Sequence, residues 1–392
     1  MNIQVKRPDV ERIIGHLRDF QKRSADKVFR RLYLDDDYTN RFLIADEVGL
    51  GKTLVAKGVI AKGIDYLWED VPRIDVIYIC ANRDIASQNI NRLNVSESSE
   101  FSMASRLTML PLKISRLKDN KLNFISFTPG TSFNLHSQAG IKEERALIYH
   151  MLRAEWGLYR MGPINLFQDW VSKENWRELV SKFEDWYSID SELAEKFINE
   201  VNKKIEEEKR NGKKDIKTRF FELCERFKVF KKNVPEKDRQ DARELIGKLR
   251  LILANSCLDA LEPDIVILDE FQRFKHLLDG KGEMGELAKH MFNYKSPDGE
   301  VKIIMLSATP YKMYTVHSEE DVENHYEDFI RTVNFLYGGN KDKTEQFERK
   351  LRCYKNELLS LRPHSLNALR EIKKDIEDEL KKVMVRTERL AS

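Results

Sequence analysis

Five short apolar runs set the terms on which this chain can fold. They are Arg41–Ala45 (RFLIA), Ile74–Cys80 (IDVIYIC), Leu122–Phe127 (LNFISF), Asp264–Leu268 (DIVIL) and Lys302–Leu306 (KIIML). β-Branched residues dominate them and turn formers bound them, which predicts strands. Their apolarity is continuous rather than alternating, so each must be covered on both faces. Helical spacing after Lys52 and around Ile85–Leu93 offers that cover. Strands alternating with helices predict an α/β fold, a doubly wound and mostly parallel sheet flanked by helices.

Two stretches break this rhythm. Between the third and fourth runs, roughly 140–250 has helical spacing throughout, far more than a crossover needs, and reads as an inserted helical module. Beyond the fifth run, amphipathic helices are predicted over about Glu319–Leu336 and Ser365–Val385. The chain therefore divides into 1–139, the first part of the α/β lobe; 140–250, the insertion; 251–340, the second part of the lobe; and 341–392, C-terminal helices. The insertion carries Trp156, Trp170, Trp176 and Trp186, expected to act as core anchors rather than stacking platforms. Across Val201–Arg250, 17 Lys and Arg stand against 10 Asp and Glu. That excess suits a phosphate backbone, but a solvated helix face explains it more simply.

A net charge of +3 on 392 residues does not by itself demand a polyanionic partner. Cys80, Cys224, Cys257 and Cys353 are scattered, with no metal-ligand spacing, as expected for reduced thiols in the cytoplasm. The N-terminus lacks the apolar core of a signal peptide, and no run approaches the roughly 18 residues of a membrane span.

Chemistry concentrates in two places. ADEVGLGKT, Ala45 to Thr53, follows a strand and opens a helix, the setting of a phosphate-binding loop. Gly49 and Gly51 let backbone N–H groups curl around phosphate oxygens, and the helix N-terminus adds partial positive charge. Lys52 is placed to reach the β- and γ-phosphates, and Thr53 to hold Mg²⁺. Asp46 stands where the strict pattern has its first glycine. The second place is DIVILDEFQRF, Asp264 to Phe274, where an apolar strand ends in two carboxylates. Asp269 suits the Mg²⁺ position facing Thr53, and Glu270 suits the base that aligns an attacking water. An Asp-Glu pair after a strand can also be a helix cap; its company with the glycine loop favours the catalytic reading.

Together these residues resemble the superfamily-two helicases, and among them the Swi/Snf-like ATPases and their bacterial relatives. IADEVGLGKT looks like the ATP loop of that group, whose Asp-Glu before the glycines accounts for Asp46. The resemblance implies a RecA-like P-loop NTPase domain binding ATP and Mg²⁺ through Glu47, Val48, Gly49, Leu50, Gly51, Lys52 and Thr53. Within Leu17–Gln21 (LRDFQ), Gln21 inherits the reading of the adenine. LDEFQ stands where the family has Asp-Glu-Ala-His or Asp-Glu-Ala-Asp, with Gln272 as fourth residue. Ser307-Ala308-Thr309 matches the element that couples hydrolysis to movement. Thr128, Pro129 and Gly130 resemble the Thr-Pro-Gly element that touches the nucleic-acid backbone. ICANRDIASQNINRL lies where another strand-binding loop falls, with Asn82 replacing its usual proline and Arg83 and Gln88 as candidate contacts.

In the family, ATP sits between two RecA-like lobes, and the second supplies arginines worth about 10³–10⁵ in rate in phosphoryl transfer generally. No such element follows Ser307-Ala308-Thr309; the ending Leu380–Ser392 resembles the segment leading into a second lobe. The expectation is the motor lobe of a nucleic-acid-dependent ATPase or translocase, acting on DNA in preference to RNA. It would be a fragment of a longer protein, with a second lobe in the same or another chain, no membrane association, and weak hydrolysis alone. The alternative is a nucleotide-gated scaffold whose insertion recruits a protein partner without translocation.

Overall fold

The computed structural model describes residues 6–47, 49–96, 101–102, 106–133, 135, 139–185, 187–229, 234–280, 282–297, 299–307, 325–359 and 366–387. Nine strands are described: β1 (Arg41–Ile44), β2 (Ile74–Cys80), β3 (Phe101–Ser102), β4 (Leu122–Phe127), β5 (Ile265–Asp269), β6 (Lys295–Ser296), β7 (Gly299–Glu300), β8 (Lys302–Leu306) and β9 (Met384–Val385). Seven form one sheet in the order β3-β4-β2-β5-β8-β1-β9, and every pairing in it is parallel. β6 and β7 make a separate antiparallel hairpin. The protein is thus α/β, with a parallel sheet flanked by helices, an arrangement compatible with a Rossmann- or RecA-like fold.

Each expected strand is present; three keep their expected bounds, and the first ends one residue early, at Ile44. The fourth runs Ile265–Asp269 rather than Asp264–Leu268, which brings Asp269 into the ladder opposite Cys80 and Leu306. One expectation is corrected: the helical pattern of Ser365–Val385 stops at Lys381, and Met384–Val385 form β9 instead. Local spacing cannot reveal this, because the decisive partner is the free edge of β1. Leu43 and Ala45 donate their N–H groups to Val383 O and Val385 O at 2.9 and 2.8 Å.

Alternation along the strands sends side chains to two faces, each with its own core. Phe42, Ile44, Val76, Tyr78 and Ile267 pack under α1 (Val10–Gly15), α2 (Asp19–Tyr33), α3 (Lys52–Leu67) and α4 (Arg83–Leu93). After these come α5 (Ile114–Lys118) and α6 (Pro129–Ser132). Leu43, Ile77, Ile125, Val266 and Met305 face the other way. They join a core built with α7 (Lys142–Trp156), α8 (Met161–Gln168), α9 (Lys173–Asp185), α10 (Ser191–Arg210), α11 (Ile216–Arg226), α12 (Glu236–Leu261) and α13 (Gly282–Phe292). The helices of 140–250 are therefore continuous with one face of the sheet, and α12 runs past Arg250 to lead directly into β5. A third, small core holds α14 (His325–Leu336), α15 (Lys341–Leu359) and α16 (Leu366–Lys381) together.

A buried ion pair ties the two ends of the insertion. Arg250 Nη2 lies 3.0 Å from Glu144 Oε1, with both side chains essentially sealed from solvent. Glu144 also accepts from the Thr108 hydroxyl and from the Ile141 N–H, while Arg250 Nη1 donates to Leu135 O. Gly140 (φ +70°) passes so close that a Cβ would lie 2.5 Å from both partners, so the pair dictates glycine there.

Several of the insertion's charges are matched by neighbours one helical turn away, such as Lys203–Glu200, Lys204–Glu207 and Lys248–Glu244. That is the pattern of a solvated helix face. Trp156 and Trp176 are buried as expected, whereas Trp170 is exposed and Trp186 lies outside the described residues. Among the described residues, no helix is long and apolar enough to cross a membrane.

Candidate functional site

Because all strands of the main sheet run parallel, their carboxyl ends share one edge, where open α/β sheets place ligands. Read across the strand order, that edge presents Thr128 after β4, Asn82 after β2, Asp269 and Glu270 at β5, Ser307 after β8, the glycine loop after β1, and Thr387 after β9. Registers Asp269↔Leu306 and Leu306↔Ile44 put the acidic tip level with the last residue before the loop. Only β8 separates β5 from β1, a backbone gap of about 10 Å, which the side chains of loop and tip can span.

The loop is shaped by its glycines. Gly49 and Gly51 both adopt φ +84°, a left-handed conformation that L side chains rarely take. Gly51 forms the N-cap of α3, and a Cβ on it would fall 2.5 Å from Gln21 Nε2. Gln21 is buried and braced on both sides. Its Nε2 donates to Leu50 O at 2.9 Å, and its Oε1 accepts from Arg18 N at 2.9 Å. Lys52 Nζ donates to Asp46 O at 3.0 Å and Glu47 O at 3.4 Å. Burial pushes the Lys52 pKa below its usual value, against the opposing pull of Asp46, Asp269 and Glu270. The ammonium thus lies within electrostatic reach of both carboxylates of the β5 tip. Val48 lies outside the described residues.

Asp46 has its own reason for replacing a glycine. Its side chain is fully buried, and Oδ1 accepts the Thr387 N–H at 2.7 Å, while Glu47 N donates to Thr387 O at 3.3 Å. The segment leaving β9 is therefore strapped to the glycine loop. Burial raises the Asp46 pKa, and the Thr387 and Lys52 contacts oppose that rise. Asp46 Oδ2 is buried without a hydrogen-bond partner.

At the β5 tip, Asp269 Oδ2 accepts from the Tyr78 hydroxyl and, at 3.1 Å, from Asn89 Nδ2. Asn89 Nδ2 also lies 3.2 Å from Tyr78 Oη. Burial first, then Asp269, drives the Tyr78 pKa far above its ordinary value. Tyr78 therefore remains a donor at any physiological pH and fixes one carboxylate oxygen. Glu270 departs from the strand with φ +49°, its N–H on Leu306 O at 3.1 Å and its carboxylate 3.0 Å from Arg273 Nε. Gln272 donates its side-chain amide to the Ser307 hydroxyl, so the β5 and β8 tips are joined by side chains as well as by the ladder.

The remaining candidates are more dispersed. Thr128 caps the short α6, its Oγ1 2.5 Å from Thr131 Oγ1, with Pro129 buried and Gly130 exposed. These residues share the edge with Asp269 but stand two strands away. Arg83 opens α4, but its side chain lies outside the described ones; Gln88 is exposed on the same helix. Ala308 and Thr309 lie outside the described residues. Sequence reasoning missed Tyr78, Asn89 and Thr387. Tyr78 sits inside an apolar strand and reads locally as core, and nothing local pairs Thr387 with a residue far earlier in the chain.

Among the described residues there is no cluster of three or more His, Cys, Asp or Glu able to hold a metal. The donor set here is of another kind, one hydroxyl and one carboxylate, which suits a Mg²⁺ ion that keeps waters and phosphate oxygens as its other ligands. Gly49 and Gly51 are left-handed, and Gly51 caps α3 with no side-chain hydrogen bond to its first turn, a backbone geometry that suits an anionic group. The residues present therefore fit a magnesium–triphosphate group. Comparison of the chain with protein-family models finds no match, and comparison with curated proteins finds none either.

Proposed function

We propose that this chain is the ATP-binding motor lobe of a nucleic-acid-dependent ATPase of the helicase or translocase type. The reading rests above all on one juxtaposition. A glycine loop ending in Lys52-Thr53 and an Asp269-Glu270 tip stand on strands separated by a single neighbour, at the same edge and level. Bound ATP·Mg²⁺ would supply the transferable phosphoryl group and the cation that neutralises its charge.

The chain's own residues divide the remaining work. Backbone N–H groups from Gly49 to Thr53 hold the phosphates, and Lys52 leaves its carbonyl partners to pair with them. Thr53 and Asp269 would hold the Mg²⁺, and Tyr78 with Asn89 keeps the Asp269 carboxylate aimed. Glu270 accepts the proton of the attacking water. Gln21, already locked against the loop, reads the base. The Gln272–Ser307 bond transmits the state of the β5 tip to β8. The carboxyl edge extending to Thr128–Gly130 is the proposed nucleic-acid face, with DNA preferred. A second RecA-like lobe, from this or another polypeptide, supplies the arginines that full turnover needs. The Asp46–Thr387 strap ties that side of the molecule to the loop.

Equilibrium binding of a fluorescent ATP analogue tests the loop, and DNA-stimulated turnover with the second lobe present tests the tip. Lys52→Ala should abolish measurable nucleotide binding. Glu270→Gln should bind normally yet lose about 10²–10⁴ in turnover, the share expected of a positioned base. Normal ATP binding by Lys52→Ala would overturn the assignment.

A further inference from the structure

Trp170 is the exception among the described tryptophans of 140–250. Packing accounts for Trp156 and Trp176, but Trp170 leaves 63% of its surface exposed. Its placement is not slack. Asp169, immediately before it, takes φ +52° and ψ −121°, a region non-glycine residues rarely enter. Gln168 Nε2 donates to Val171 O at 2.7 Å and Arg145 Nη2 to Gln168 O at 3.3 Å, bracing the turn that presents the indole.

Beside Trp170 lies a cavity of about 170 Å³ between the end of α8 and the start of α12. Asn165, 5% exposed, forms part of its wall. Asn165 Nδ2 is spent on Phe227 O at 2.8 Å, but its Oδ1 is buried with no hydrogen-bond partner. That acceptor is itself sealed from solvent, so it is a cost to the fold and offers no contact to a ligand in the cavity. Arg239 places its guanidinium carbon 3.9 Å from the indole centroid, and Arg243 adds a second cation, itself 3.6 Å from Glu236. Among the described lining residues Asp169 is the one carboxylate, and it also interacts with Arg145.

We propose that this pocket receives one unpaired nucleobase of a nucleic-acid strand. The base stacks on Trp170, while its flanking phosphates meet Arg239 and Arg243. The volume is well below the roughly 300 Å³ at which drug-sized ligand sites begin, so it takes one planar ring rather than a whole nucleotide. An aromatic peptide side chain would fill the space, but it brings no phosphate for the cations. The inference rests on the nucleic-acid-dependent reading above and adds to it a second contact region, on the insertion rather than on the sheet edge.

The test uses the full chain and a labelled oligothymidylate, compared with an abasic strand of equal length by fluorescence anisotropy. The intact protein should prefer the base-bearing strand by roughly 5- to 150-fold, the range of one base–aromatic stack. Trp170→Ala should erase that preference with ATP binding and thermal unfolding unchanged, and Trp170→Phe should restore most of it. Equal binding of the two strands by the intact protein, or a preference that survives Trp170→Ala, overturns the pocket. So does loss of an aromatic-peptide ligand in Trp170→Ala with oligonucleotide binding unaltered. If ATP and duplex DNA still bind while the pocket fails, the motor reading stands. If Lys52→Ala leaves ATP binding intact, that reading falls on its own.

Discussion

At the carboxyl edge of the sheet, polar side chains are held by backbone atoms and by one another. Lys52 rests on the carbonyls of its own loop, Gln21 on Leu50, Asp269 on Tyr78 and Asn89, and Gln272 on Ser307. In the insertion the holding is apolar. Trp156 packs 5.1 Å from Phe220, Phe220 5.6 Å from Phe167, and Phe167 5.8 Å from Tyr149, ring centre to ring centre. The ion pair of Glu144 with Arg250 is sealed off from solvent. A region built from exchangeable hydrogen bonds can re-form around a ligand, whereas a close-packed core responds to change by losing stability. The two regions should therefore answer mutation in opposite currencies, chemistry at the edge and folding free energy in the insertion.

The largest stability effect tests the insertion. Glu144→Ala strands Arg250 in a sealed site and should cost about 3–5 kcal/mol in urea unfolding. A loss below 1 kcal/mol would mean that the pair is solvated and that the two regions are less different than their contacts imply. Next, Trp176→Ala should cost about 3–5 kcal/mol through an unfilled core cavity. Trp170→Ala, on the same insertion but exposed, should stay within about 0.5 kcal/mol. Equal costs for the two would remove the distinction between anchor and platform.

A third measurement follows pH. Burial pushes the Asp75 carboxyl up to about 7, against the counter-pull of Arg73, whose Nε lies 2.9 Å from Oδ2, and of Asn123. That value lies above the unfolded value of about 3.9. Across that interval the native state keeps a proton that the unfolded chain has released. Stability from this group is thus complete below about pH 4 and declines as pH rises towards 7, by at most about 1.4 kcal/mol per pH unit. Asp75→Asn should flatten the slope, read from denaturant midpoints at several pH values; an unchanged slope would show that Arg73 keeps Asp75 ionised. The smallest stability effect belongs to the edge. Glu270→Gln should shift unfolding by no more than about 0.5 kcal/mol despite its large effect on turnover. A substantial loss of stability there would make Glu270 structural.

Much of the frame was legible before any coordinates. The long runs around Val76, Phe124 and Ile303 are continuously apolar because they are buried on both faces, so the pattern carried its own explanation. The glycine loop and the acidic tip were legible because left-handed backbone and paired carboxylates require particular residue types. β3, β6, β7 and β9 were not legible, since two residues are too few for any period to show. Gln272 illustrates the limit at the site. Its residue type could not reveal the Ser307 bond, which exists because β5 and β8 pair in register.

The amino-acid sequence alone determined that there would be a two-faced parallel sheet, a glycine-bearing loop and a strand ending in acid, because these follow from burial, backbone freedom and charge within short windows. Only the tertiary structure decided that β8 alone would separate loop from acid, that Tyr78 and Asn89 would brace Asp269, and that Thr387 would close over Asp46. Strand order and edge pairing are chosen by how whole helical layers cover the sheet, and that choice is encoded in no single segment.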